Sequence, residues 1–350
     1  MNTQRTTAAE LGLLFQREFT LCRLAPGETL VLLTDQTTSR DMVHAAFAAA
    51  QSLAAIVFEV CIPKTVDLAR IAHGSPADGE GVMKALLSAN LVCTFFPPNL
   101  SRWLSELRGN GGRILSIIAS PDQLANLMSP PGLKEAVQHA ATRYRETMRV
   151  QVTSSAGTDL HFTRGRPGDT EVRGYYGYAD EPGHFDQWGF GMVADFPDEG
   201  SAEGVVMIEP GDVWILPYIR MVESPIRLEV EAGFIRHISG GVDARAFDDW
   251  LTSNKRDPDD LDPFAVSHLG FGLNPRARWD HILTYGNSHD DLAVAMRSFA
   301  GNFLFSTGPG IRRKTRGHID MPMCNCSIRF DGDLVVDHGR LVDPRMIVSA

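Results

Sequence analysis

Short apolar runs alternate with amphipathic stretches through the first 146 residues. Residues 8–24 predict an opening helix, with Leu11, Leu13, Leu14, Phe15 and Leu21 toward one side. Residues 29–34, 54–60, 91–96 and 113–119 are apolar runs of strand length. Between them 41–53, 81–88 and 100–108 read as helices, and helices at 121–128 and 132–146 close this half. Apolar strands interleaved with helices predict a parallel sheet covered on both faces. No G-x-G-x-x-G follows the first strand and no Walker-type loop is present, so the sequence offers no nucleotide site here.

The pattern changes near residue 148. Runs at 149–154 and 159–163 flank a short polar turn, and so do 205–208 and 213–216, 226–230 and 234–238, and 328–330 and 334–336. Each pair predicts a β-hairpin. Helices at 243–252 and 289–299 interrupt this half, and 254–263, rich in Asp and Pro, reads as a surface loop. The expected fold class is therefore α/β plus α+β. A parallel α/β domain over 1–147 precedes a β-rich, metal-binding domain over 148–350.

Composition narrows the partners. The chain has 350 residues and a formal net charge of −10, against nonspecific nucleic-acid binding through Lys and Arg. No run of eighteen apolar residues predicts a membrane span. The N-terminus lacks a signal-peptide core, and five cysteines form no disulfide framework, so a cytoplasmic protein is expected.

The candidate chemistry gathers in the second half. An apolar run at 303–305 ends in a Gly-Pro turn, and a basic loop then leads to His318-Ile319-Asp320. In an extended segment residues two apart share a face, so His318 and Asp320 can converge. A further His would complete the two-His-one-carboxylate set that holds non-haem Fe(II) and leaves positions open. His268, beside Gly270-Phe271-Gly272, is the first candidate, with the glycines suiting a close approach of backbone and ligand. His281 and His289 are spare candidates. The stretch 174–188 crowds three Tyr, three acids, a His and a Trp between glycines. It offers Tyr178 and Asp186 for binding a flat heteroaromatic substrate. Cys324 and Cys326 lack a partner pair at zinc-site spacing and read as core thiols.

These segments carry a resemblance. Residues 177–183 with Asp186 and Trp188, 267–277 with Trp279, 301–309, and His318-x-Asp320-x-Pro322 resemble the 2,5-dihydroxypyridine 5,6-dioxygenases. The likeness is clear over 174–332 and fainter before 145. It implies a leucine-aminopeptidase-like scaffold and an Fe(II) cofactor held by His268, His318 and Asp320. It places substrate contacts on Glu181, the expected acid–base residue, and Ser306. The implied partners are a hydroxypyridine and O2, with extradiol-type opening to N-formylmaleamate, in a homo-oligomer that could be a hexamer. The chain departs from the family in two places. The loop 95–101 lacks the family's proton-transfer His, and the loop before His318 is short and carries Arg312 and Arg313. Those guanidiniums suit a carboxylate or phenolate, so a carboxylated hydroxypyridine is a second expected substrate. The competing readings are a two-metal peptidase on the same scaffold and a catalytically silent ligand-binding protein.

Overall fold

The computed structural model describes residues 6–64, 75–98, 101–285 and 289–350. Of the sequence expectations, residues 99–100 of the 95–101 loop, the helix start at 100 and the side chain of His289 lie outside the described residues.

In chain order the first elements are α1 (Ala8–Leu21), β1 (Thr29–Asp35), α2 (Arg40–Ser52), β2 (Ile56–Ile62), α3 (Glu80–Leu87), β3 (Leu91–Thr94), α4 (Arg102–Gly109), β4 (Arg113–Ser116) and α5 (Pro121–Asn126). There follow α6 (Leu133–Glu146), β5 (Arg149–Thr153), β6 (Asp159–Thr163), β7 (Arg173–Tyr175), β8 (Phe185–Gln187), β9 (Met192–Asp195) and β10 (Glu203–Ile208). Next come β11 (Val213–Trp214), β12 (Arg220–Met221), β13 (Ile226–Glu231), β14 (Phe234–Gly240), α7 (Val242–Ser253) and β15 (Leu269–Gly272). The chain closes with α8 (His281–Tyr285), α9 (His289–Ser298), β16 (Phe303–Thr307), β17 (Ile319–Met323), β18 (Ser327–Phe330), β19 (Asp333–Asp337) and β20 (Arg340–Leu341).

Two compact units result. One comprises the described residues up to Ser129 together with Tyr176–Phe190, and the other comprises Pro130–Tyr175 and Gly191–Ala350. The division differs from the expected break at 147. Helix α6 packs on β7 and β9 of the second unit. The segment 176–190 belongs to the first unit, because β8 adds a parallel strand beside β4, pairing Phe185 with Ile114.

The first unit is the expected parallel sheet, in the order β2-β1-β3-β4-β8. Strand alternation divides its core in two. Leu30, Leu32, Leu91, Cys93 and Leu115 point to the side covered by Leu11, Phe15 and Phe19 of α1 and Val43 and Ala46 of α2. Val31, Leu33, Val92 and Ile114 point to the side covered by Met83, Leu86, Trp103 and Leu107 of α3 and α4. Helix α1 begins at a capping box in which the Thr7 hydroxyl accepts from the Glu10 amide and Glu10 accepts from the Thr7 amide.

The second unit holds two antiparallel sheets. One has eight strands, β14-β13-β10-β6-β5-β18-β19-β20, and the other five, β17-β16-β15-β9-β7. Three expected hairpins form: β5 with β6, β13 with β14, and β18 with β19. The fourth does not. Strand β10 pairs with β13 and β6, while β11 pairs with β12. Asp212 explains the divergence. It ties down the turn by accepting from the Glu209 amide, and it turns the following chain away by accepting from the Cys324 amide at 2.8 Å.

Candidate metal centre

The five-stranded sheet builds the site. Asp320, on β17, faces Ser306 on β16, and on its other side its backbone exchanges two hydrogen bonds with Ile215, 2.8 and 3.1 Å. Its position is therefore fixed from both flanks. His318 stands two residues earlier, on the same face. Its Nδ1 lies 2.8 Å from the Thr307 carbonyl, which can only accept, so the proton sits on Nδ1 and Nε2 presents a lone pair. His268 immediately precedes β15, and its backbone carbonyl accepts from the Ser306 hydroxyl at 2.5 Å.

The three side chains converge, with a donor atom from each inside a 4.8 Å cluster. Oδ1 of Asp320 lies 3.2 Å from Nε2 of His268 and 3.1 Å from Nε2 of His318. Neither contact is aligned as a hydrogen bond, so Oδ1 is buried without a partner. Leaving such an atom unmet is costly. Oδ2 accepts from Nε of Arg297 at 2.6 Å. Two imidazole nitrogens and one orphaned carboxylate oxygen around a common point are a donor set that fits a divalent cation such as Fe(II).

The protonation states agree with that fit. Burial holds His268 below its usual value, outweighing the pull of Asp320. Burial also pushes the Asp320 carboxyl up, but His318, Arg297 and His268 together reverse this and hold it well below the ordinary range. A neutral imidazole and an ionised carboxylate are the forms that ligate.

Around the cluster, Phe196 sets its ring edge-on to His268, centroids 5.9 Å apart, and the Arg173 guanidinium lies over Phe196 at 5.4 Å. Arg173, Phe196 and Arg297 stand outside the motifs of the sequence, and Thr307 lies within the segment 301–309. Arg297 had a signal, since it is a lone cation following the buried run Leu292–Met296 of α9. The others are ordinary strand residues.

Other expected site residues have different surroundings. Ser306 is wholly buried and holds the His268 backbone. Arg313 is taken up in stapling its loop, donating to the carbonyls of Gly308 (2.7 Å) and Val266 (3.0 Å) and pairing with Glu199. Arg312 is 72% exposed and pairs with Asp169 at 3.2 Å. Both arginines line a cavity of about 700 Å³ that also touches Phe196 and Lys314. Glycines 270 and 272 leave room for protein rather than ligand. A Cβ would fall 2.0 Å from the Val193 carbonyl at Gly270 and 2.2 Å from that of Phe299 at Gly272. His281 is not part of the cluster, and burial pushes the Cys324 and Cys326 thiols up, away from the thiolates a metal would need.

Tyr178, Glu181 and Asp186 lie in the first unit. Asp186 is wholly buried and accepts from the amides of Tyr176 (2.8 Å) and Gln187 (2.7 Å), with His184 at 3.0 Å. It organises its own loop. Tyr178 packs edge-on to Tyr176 at 4.9 Å, and Glu181 is exposed.

Together, the antiparallel sheet and its two imidazoles and carboxylate define a protein with a candidate facial-triad metal site. The chain belongs to the 2,5-dihydroxypyridine 5,6-dioxygenase family, whose model matches residues 10–343. It is 34% identical over 349 residues to the 2,5-dihydroxypyridine 5,6-dioxygenase of Pseudomonas putida KT2440, covering 96% of this chain and 97% of that one. The solved structure of 2,5-dihydroxypyridine dioxygenase from the same strain superposes with a TM-score of 0.90 at 31% identity, covering 98% and 99% of the two chains. Wild-type AmpT from Thermus thermophilus superposes with a TM-score of 0.60 at 12% identity over 95% and 99%, a likeness of fold alone. Among the described residues no helix is long and apolar enough to cross a membrane.

Proposed function

We propose that this chain is an Fe(II)-dependent dioxygenase that opens the ring of 2,5-dihydroxypyridine between carbons 5 and 6, adding both atoms of O2 to give N-formylmaleamate. The observation that carries this reading is the unpartnered Oδ1 of Asp320 between the Nε2 atoms of His268 and His318. The family relationship supports the substrate.

His268, His318 and Asp320 would hold the iron. When bound, Fe(II) supplies the one-electron chemistry that lets O2 react with an electron-rich ring. The chain's own residues set the geometry. Thr307 fixes the His318 tautomer, Ser306 fixes the backbone of His268, and Arg297 fixes Asp320 while offsetting part of its charge. The family resemblance, rather than the geometry, assigns to Glu181 the proton of the ring hydroxyl, the role left open by the missing His in the 95–101 loop. Arg312, exposed and paired with Asp169, is the cation that would favour a carboxylated relative. Arg313, whose donors are engaged, does not serve that end.

The peptidase reading needs a second set of ligands to clamp two metals. No second cluster of His, Cys, Asp and Glu is found among the described residues.

The test is ring cleavage by anaerobically iron-loaded protein mixed with aerated 2,5-dihydroxypyridine, its carboxylated relatives, catechol or gentisate. Loss of the ultraviolet band of 2,5-dihydroxypyridine and appearance of N-formylmaleamate are expected. Glu181→Gln should lower turnover at unchanged iron content. Cleavage of none of these rings, with hydrolysis of dipeptides instead, would overturn the reading.

A further inference from the structure

The cross-strand register places a residue at the site that no motif announces. In the five-stranded sheet Arg173 pairs with Ala194, Ala194 with Gly270, Gly270 with Leu304 and Leu304 with Pro322. Directly opposed residues of an antiparallel sheet share a face, and so do alternate residues along each strand. Phe196 lies two residues from Ala194, His268 two from Gly270, Ser306 two from Leu304 and Asp320 two from Pro322. Arg173 therefore emerges on the face that carries the triad, two strands from His268.

Its guanidinium is held there by three neighbours. The Phe196 ring lies beneath it, Glu171 accepts from one terminal nitrogen at 2.8 Å, and Tyr175 adds a further side-chain interaction. Nε is buried without an acceptor, while the side chain as a whole is 40% exposed. One terminal nitrogen of the planar head is thus taken by Glu171, and Nε is the donor left unmet. A guanidinium on an aromatic ring is a preorganised donor for oxygen anions.

We propose that Arg173 is a specificity-determining residue: propped on Phe196, it binds the substrate oxygen that lies away from the triad, selecting rings that carry an oxyanion or a pyridone carbonyl there. The inference rests on the proposed reaction, because the two oxygens of 2,5-dihydroxypyridine stand at opposite ends of the ring. A ring bound with one oxygen at the triad presents the other to a donor beyond it.

The test compares 2,5-dihydroxypyridine with 3-hydroxypyridine, which lacks the second oxygen. Binding to iron-loaded protein is measured by calorimetry under argon for the wild type, Arg173→Met and Arg173→Lys. Methionine keeps an aliphatic stem over Phe196 and removes the donors. A charge-assisted hydrogen bond predicts a loss of about ten- to a hundredfold in affinity for 2,5-dihydroxypyridine in Arg173→Met. Affinity for 3-hydroxypyridine should hold steady, and lysine should restore part of the loss. In turnover the change should fall on KM more than on kcat, at unchanged iron content. Equal losses for both rings, or none for either, would overturn the proposal. Because binding is read without O2, a wild type that binds the ring but never cleaves it would count against the proposed reaction alone.

Discussion

Arg297 donates from Nε to Oδ2 of Asp320 at 2.6 Å and leaves the other oxygen of that carboxylate facing two imidazoles. One guanidinium thereby decides which lone pairs of Asp320 are free. Its backbone carbonyl accepts from Asn302 at 3.0 Å and its NH1 donates to the Ala293 carbonyl at 3.1 Å, so the arginine is itself held.

Removing that guanidinium should free Asp320 to rotate and should restore part of its proton affinity. Arg297→Met is expected to weaken iron binding by about ten- to a hundredfold, the usual cost of losing a partner behind a metal ligand. Arg297→Lys should fall between the variant and the wild type. Metal titration under argon checks this, and an unchanged affinity in Arg297→Met would remove Arg297 from the site's design.

Much of the fold is written plainly in the sequence. The apolar runs around Leu30, Val92 and Ile114 do become central parallel strands, and the pattern shift near 148 does mark the β-rich part. What local pattern cannot carry is pairing at long range. Strand β8 is only Phe-Asp-Gln, with one fully buried position, and its membership of the first sheet depends on a partner about seventy residues earlier. Helix α1 shows a second limit. Leu13 reads as core but is 66% exposed, whereas Glu18, polar by type, is wholly buried. The stripe Leu11, Phe15, Glu18, Phe19 has helical spacing, and only the packed neighbours reveal that a carboxyl occupies one place in it. At the site, His318 and Asp320 were legible because a strand's period of two is short-range. Arg297 reaches Asp320 through helix packing, and register puts Arg173 over Phe196 on the same sheet face; neither leaves a motif.

Glu18 yields a stability prediction. Both its carboxyl oxygens are buried without partners, and burial, with Asp186 nearby, pushes its carboxyl well up. Glu18→Met fills similar volume without the desolvation cost and should stabilise the protein by about 1–3 kcal/mol. Chemical denaturation at pH 7 measures it. A destabilised Glu18→Met variant would mean that the buried carboxyl is satisfied by something within the fold.

Asp212 sets a pH dependence. Burial pushes its carboxyl up to about 6, against the offsetting amides of Glu209 and Cys324. An unfolded aspartate releases its proton near ~3.9, so between these values the folded chain binds the proton more tightly. The contribution of Asp212 to stability is thus full below about pH 4 and is lost as the pH rises through 6, by on the order of 3 kcal/mol. Asp212→Asn loses one acceptor at every pH, a constant offset, but it should abolish this slope. The difference in unfolding free energy between variant and wild type, followed from pH 4 to 7, should therefore shift in favour of the variant. A flat difference would place the carboxyl's titration elsewhere.

The central claim is that the cluster of His268, His318 and Asp320 holds one iron and that ring cleavage depends on it. The most direct measurement pairs iron content with O2 uptake in the wild type and in Asp320→Asn, both loaded anaerobically and given 2,5-dihydroxypyridine. The account predicts one iron per chain and one O2 consumed per ring lost in the wild type, with both iron and uptake falling to background in the variant. Undiminished uptake by Asp320→Asn, or ring loss by wild-type protein that holds no iron, would contradict it.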